Sequence, residues 1–173
     1  MGAGGAERNQ GTESATRVVQ PSISANGRFV AYATTASNVV TGDNNAAQDV
    51  FVCDVETNNT SRVSVNSYGE EGNADSPIGQ GEKIAISADG TLLSFTSNTT
   101  NLGSKAGNIL LYNLTTHRIS PVTALEGSIP GRPSISGWGN YVVFGAGAKL
   151  DSRFPSSGLF AFYTGTGPCI NCQ

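Results

Sequence analysis

The chain has 173 residues, 22 of them glycine, with 38% hydrophobic and only 13% charged residues. That length is enough for one domain with a real core, and low charge with abundant glycine, serine, threonine and asparagine suits an all-β protein rich in turns. A net charge of −3 and a pI near 5.0 argue against nucleic acid, since phosphate binding needs a basic surface, and no apolar run approaches the ~20 residues of a membrane-spanning helix. No window carries the 3.6-residue apolar period of a helix.

Residues 1–20 open with Met1-Gly2-Ala3-Gly4-Gly5, which has neither the basic nor the apolar region of a signal peptide. The expectation is a cytosolic protein or a chain that starts after a removed signal. Arg8-Asn9-Gln10-Gly11-Thr12-Glu13-Ser14 resembles Glu70-Glu71-Gly72-Asn73-Ala74-Asp75-Ser76, so residues 1–20 read as a connector or a donated strand. Thr16-Arg17-Val18-Val19, similar to Ser61-Arg62-Val63-Ser64, leaves open a closing strand instead.

From residue 21 the chain repeats itself. Pro21-Ser22-Ile23-Ser24-Ala25-Asn26-Gly27-Arg28-Phe29-Val30-Ala31-Tyr32 returns as Ile84-Ala85-Ile86-Ser87-Ala88-Asp89-Gly90-Thr91-Leu92-Leu93-Ser94-Phe95, and again as Pro133-Ser134-Ile135-Ser136 followed by Gly137-Trp138-Gly139-Asn140-Tyr141-Val142-Val143-Phe144. Each copy reads as a short strand A, a turn and an alternating strand B. Asn26-Gly27 and Asp89-Gly90 predict two-residue type I′ hairpins, with positive φ at both turn residues. Strand B covers 29–33, 92–96 and 141–145. Strand C follows a polar loop at 50–53, 109–112 and 159–162, and strand D is 61–65 and 118–122. Pro121 suggests an edge position for strand D, and the third copy shows no obvious strand D. Ser24, Ser87 and Ser136 lie 63 and 49 residues apart. Four strands per repeat of about this length are propeller blades. The expected architecture is three blades at about 21–66, 84–123 and 133–163, the last incomplete, with a tail at 164–173.

The ordered run 21–32, Ala36-Ser37-Asn38-Val39-Val40-Thr41-Gly42-Asp43-Asn44-Asn45, Asp49-Val50-Phe51-Val52-Cys53-Asp54 and Ser61-Arg62-Val63-Ser64-Val65 resembles the TolB-like propeller repeats of bacterial proteins. The resemblance covers about residues 20–163. It implies half of a six-bladed ring, a location in the periplasm or outside the cell, and a role as a protein-binding platform. Three blades would leave two apolar faces open, so the expectation is either a second copy closing the ring or a fragment of a larger protein.

The candidate sites are few. Asp43, Asn45 and Asp49 place oxygens at relative positions 1, 3 and 7, a spacing found in calcium loops. Ala46 stands where the usual glycine would be, and turn chemistry explains the same residues. Calcium is the one cofactor the sequence suggests. Cys53, Cys169 and Cys172 are odd in number and define no disulfide framework. Cys169-Ile170-Asn171-Cys172 lacks the following histidine of haem attachment and a second ligand pair for zinc, so it reads as a disulfide or free thiols. Cys53 reads as a small core residue. The single histidine, His117, reads as a solvated turn residue, Glu70-Glu71 as a solvated loop, and Trp138 as packing on a neighbouring blade or forming a binding hot spot. No catalytic constellation is present. The expected function is a non-enzymatic protein-interaction or self-assembly module. The alternatives are a propeller binding calcium, a small ligand or a carbohydrate, and the propeller part of a larger hydrolase.

Overall fold

A computed structural model of the chain describes residues 21–77, 83–103, 105–122, 131–146 and 158–165. The expected connector or donated strand at 1–20, the Cys169–Cys172 pair and most of the 164–173 tail lie outside these residues. Short runs of β-branched and aromatic residues bounded by turn residues give eleven strands among them. They are β1 (Ser22–Ile23), β2 (Phe29–Thr34), β3 (Asp49–Asp54), β4 (Asn59–Arg62), β5 (Ala85–Ile86), β6 (Leu92–Ser97), β7 (Asn108–Asn113), β8 (Arg118–Pro121), β9 (Gly131–Ile135), β10 (Tyr141–Ala146) and β11 (Gly158–Tyr163).

These strands form three antiparallel sheets in strict chain order, β1-β2-β3-β4, β5-β6-β7-β8 and β9-β10-β11. Phe29 pairs with Asp54, Leu92 with Asn113 and Tyr141 with Tyr163, so the three sheets share one register. The first strands stack on one another, β1 on β5 and β5 on β9. Consecutive meander sheets packed face to face about their first strands are propeller blades. Two complete blades and a third of three strands are present among the described residues.

Two core clusters lie in the joints between blades, and a third, Ala36, Val39 and Phe51 with Tyr32 and Val40, lies within the first blade. Ala31, Val50, Val52 and Val63 of the first blade meet Ile84, Ile86, Leu93, Phe95, Leu110 and Tyr112 of the second. Ile109 and Leu111 of the second meet Val142, Phe144 and Ala146 of the third. Middle blades are thus apolar on both faces, which is why strand B carries no clean polar alternation.

The A–B turns differ from the predicted two-residue hairpins. Of the predicted turn pairs only the glycines, Gly27 and Gly90, have positive φ, +73° and +77°. The serine two residues before Asn26 or Asp89 explains this. The Ser24 and Ser87 hydroxyls donate to the Asn26 and Asp89 side chains and accept from the Phe29 and Leu92 amides. The turn is closed by Gly27 N–H to Ser24 O and Gly90 N–H to Ser87 O. An Asx side chain held in this way stays right-handed, and the loop lengthens to four residues. Ser136 repeats the arrangement, accepting from the Tyr141 amide.

The connector after the first blade staples the B–C ends of the first two blades together. Asp75 accepts from the Gln48 amide at the first B–C loop, and its carbonyl accepts from the Asn98 amide at the second. Asn73 exchanges bonds with Thr100, its backbone N–H donates to Asn101 Oδ1, and the Ser76 and Ser97 hydroxyls hydrogen-bond to each other. The Ser76–Pro77 peptide is cis.

Candidate functional site

The sequence pointed to Asp43, Asn45 and Asp49, and the fold brings all three together at the B–C end of the first blade. Asp49, the first residue of β3, is fully buried, and the loop before it folds back so that Asn45 donates to Asp49 Oδ2 at 3.0 Å and to the Gly72 carbonyl at 2.9 Å. Asn45 Oδ1 accepts from the Ala47 amide, the turn chemistry expected of it. Two residues the sequence did not associate complete the cluster. Arg62, at the end of β4, places Nη1 3.5 Å from Asp43, 3.2 Å from Asp49 and 2.6 Å from Glu71. Its Nη2 donates to the Gly42 carbonyl. Glu71 is therefore no solvated loop residue, because it accepts from this guanidinium and from the Asn44 amide. Glu70 keeps the expected exposed position beside Asn66.

One acidic oxygen from each of Asp43, Asp49 and Glu71 lies within 4.8 Å of the others. That grouping is compatible with a cation, and the chain already supplies one, since Arg62 Nη1 touches all three carboxylates. A calcium ion at this point would have to displace the guanidinium. Burial raises the Asp43 carboxyl above its ordinary range, with the Asp49 charge adding to it against the opposing pull of Arg62. Burial likewise raises Asp49, against the Ser64 hydroxyl and Arg62.

At the other end of the blade the opposite balance holds. Arg28 donates to both oxygens of Asp54 at 3.0 and 2.8 Å, and this holds the Asp54 carboxyl down to about 2. Asp89 is also lowered: burial opposes this, but the Ser87 hydroxyl and the Thr91 donors outweigh it. The signs give a pH profile. A lowered carboxyl contributes stability that is present above its unfolded value of ~3.9 and lost as pH falls through the folded value. A raised one acts oppositely and favours the folded state as pH falls through its raised value. The melting temperature is therefore expected to hold or rise as pH falls from neutrality towards ~4, then to fall steeply below it. Thermal unfolding followed by circular dichroism checks this, and Asp43→Asn should flatten the first limb. A steady loss of stability beginning at neutral pH would contradict the assignment.

Three other sequence expectations resolve. Trp138 is 85% exposed at the third A–B turn, so it packs on no blade among the described residues, because its position is that of the exposed Asn26 and Asp89. Cys53 is partly exposed rather than core, since the face of the first blade on which it lies meets no further blade among the described residues. His117 is exposed with φ +53°, and its Nδ1 lies 3.2 Å from the Tyr112 hydroxyl. Between the first two blades a cleft of about 230 Å³ has Phe29, Val52 and Val63 at its base and Asn59, Thr91 and His117 at its rim.

Among the described residues the two end faces are left without a neighbouring blade. Shared register makes Ile23 equivalent to Ile86 and Leu159 equivalent to Ile109. Ile86 and Ile109 are 8% and 0% exposed inside the joints, whereas Ile23 and Leu159 are 60% and 77% exposed. The residues are as apolar as those of a joint, but no blade covers them among the described residues.

No family model matches the chain, and no curated protein matches it. Solved structures are similar to it at low identity. TolB from Acinetobacter baumannii is 15% identical with a TM-score of 0.49, over 86% of this chain and 30% of that one. The acylaminoacyl peptidase of Pyrococcus horikoshii is 15% identical with a TM-score of 0.48, over 86% of this chain and 20% of that one. The tricorn protease is 12% identical with a TM-score of 0.46, over 80% of this chain and 12% of that one. The chain thus spans less than a third of the length of each of these structures. The class defined by its own geometry is a segment of β-propeller.

Proposed function

We propose that the chain is a non-enzymatic propeller module that binds protein through its open blade faces, a second copy of itself included. The observation that carries this reading is the pair of end faces, where residues equivalent to buried joint residues stand exposed. Apolar patches of this kind mark interaction sites. Membership of the TolB-like repeat family, a location in the periplasm or outside the cell, and closure of a six-bladed ring by two copies belong to the same reading. In support of the non-enzymatic part, His117 hydrogen-bonds Tyr112, and no serine or cysteine joins it among the described residues. The inter-blade cleft, at about 230 Å³, is smaller than the ~300 Å³ at which small-molecule sites begin, so the faces are favoured over the cleft.

Leu159→Glu tests the reading. The residue is 77% exposed, so the substitution should leave the melting temperature of the isolated chain unchanged. Light scattering should show that it abolishes association seen with the unsubstituted chain. Association that survives a charge at this position would remove the third-blade face from the account.

A further inference from the structure

The two blade joints inside the chain are built by one rule. At the A–B turns a backbone hydrogen bond passes from blade to blade: Ala25 N–H donates to the Ala88 carbonyl at 2.9 Å, and Ala88 N–H donates to the Gly137 carbonyl at 2.9 Å. Beside this relay a knob enters a notch. The first residue of strand B on one blade packs on the turn glycine of the next. A Cβ on Gly90 would collide with the Phe29 ring, and a Cβ on Gly139 would lie 2.6 Å from Leu92. Both glycines also have positive φ, so the notch needs glycine for its backbone and for its space.

The same rule leaves four loose ends. Gly137 N–H, in the donor position of the relay, has no partner among the described residues, and neither does the Ala25 carbonyl, in the acceptor position. Gly27 is a notch with φ +73°, and a Cβ on it would have nothing within 4 Å among the described residues. Tyr141 occupies the knob position of Phe29 and Leu92, stands beside Tyr163 on the third blade's open face, and is partly exposed. Donor and knob are on the third blade; acceptor and notch are on the first. One chain therefore carries both halves of the joint.

We propose, resting on the assembly reading above, that a second copy docks head to tail in the register of the internal joints. Gly137 N–H of one copy donates to the Ala25 carbonyl of the next, and Tyr141 of the first covers Gly27 of the second. Ile23 and Leu159 are buried in that joint as Ile86 and Ile109 are within the chain. The interface is heterologous, so its repetition closes into a ring where the rotation allows. Position 138 stays outside the joint, because its equivalents Asn26 and Asp89 are exposed beside the internal ones.

Disulfide trapping tests the register. A Cβ on Gly137 would lie 3.6 Å from the Ala88 Cβ, within the ~3.5–4.5 Å of a disulfide. The 173-residue chain is first given Cys53→Ala, Cys169→Ser and Cys172→Ser. In that background Ala88→Cys with Gly137→Cys should form an internal bond, seen as the loss of two hydrogens by mass spectrometry. This variant shows that the turns are folded. Ala25→Cys and Gly137→Cys are then placed on separate chains, one of them tagged, and mixed under mild oxidation. The expected result is a shift from single-chain to double-chain mass on a non-reducing gel, with unlike chains joined and like chains not. Association by sedimentation without the unlike bond, while the internal bond forms, overturns the register and leaves the assembly reading standing. Neither association nor unlike bond, with the internal bond formed, overturns both.

Discussion

Replacing Arg62 by methionine is expected to destabilise the chain by about 3–5 kcal/mol, the usual cost of removing one partner from a buried ion pair. The Arg62 side chain is 9% exposed, and the Asp43, Asp49 and Glu71 side chains it neutralises are 4%, 0% and 24% exposed. Methionine fills similar volume but leaves three carboxylates facing one another in a medium that solvates charge poorly. The same change opens the position that Nη1 holds between them, so calcium should raise the melting temperature of the variant and leave the unsubstituted chain unmoved. Combining Arg62→Met with Asp49→Asn and Glu71→Gln should recover part of the loss, since fewer charges then lack a partner. Urea unfolding measures each variant. A loss below about 1 kcal/mol would place the guanidinium among ordinary surface ion pairs and remove the cluster from the fold's energetics.

Gly90→Ala is the second large effect, expected at about 2–5 kcal/mol. Of this, ~1–2 kcal/mol comes from forcing alanine into left-handed backbone, and ~1–3 kcal/mol from driving a methyl into the Phe29 ring. Gly27→Ala separates the two contributions, because Gly27 has nearly the same φ and open space around it. Measured on the monomeric Leu159→Glu background, it should cost only the backbone part, ~1–2 kcal/mol. Equal losses at the two positions would mean that the Phe29 ring moves aside and that the notch is no close contact.

Most of the fold was legible because the repeat is local. The Ser-x-Asn/Asp-Gly turns, the apolar strand B and the strand C pairings recur within a few residues of one another, and a common register follows from their spacing. The turn type departs from its sequence signal for a local reason: the Asn-Gly pair signals type I′, but the serine two residues earlier captures the Asn side chain and lengthens the loop. The charge cluster was half legible. Asp43, Asn45 and Asp49 lie within one loop, whereas Arg62 and Glu71 reach them through the β3–β4 pairing and the connector. Nothing in their flanking residues marks either as buried. Arg62 does end β4 opposite Phe51, on the same sheet face as Asp49, and counting charges by sheet face would have found it. The exposure of Trp138 follows from its place in the repeat, which aligns it with Asn26 and Asp89 rather than with any joint residue.

The two open blade faces are proposed as interaction surfaces, and sedimentation equilibrium of the 173-residue chain at micromolar concentration tests this most directly. Association is predicted, with a mass that rises with concentration from the 17.8 kDa of one chain and returns to it with Leu159→Glu. A single species of 17.8 kDa at every concentration, with the sheets intact by circular dichroism, would contradict it.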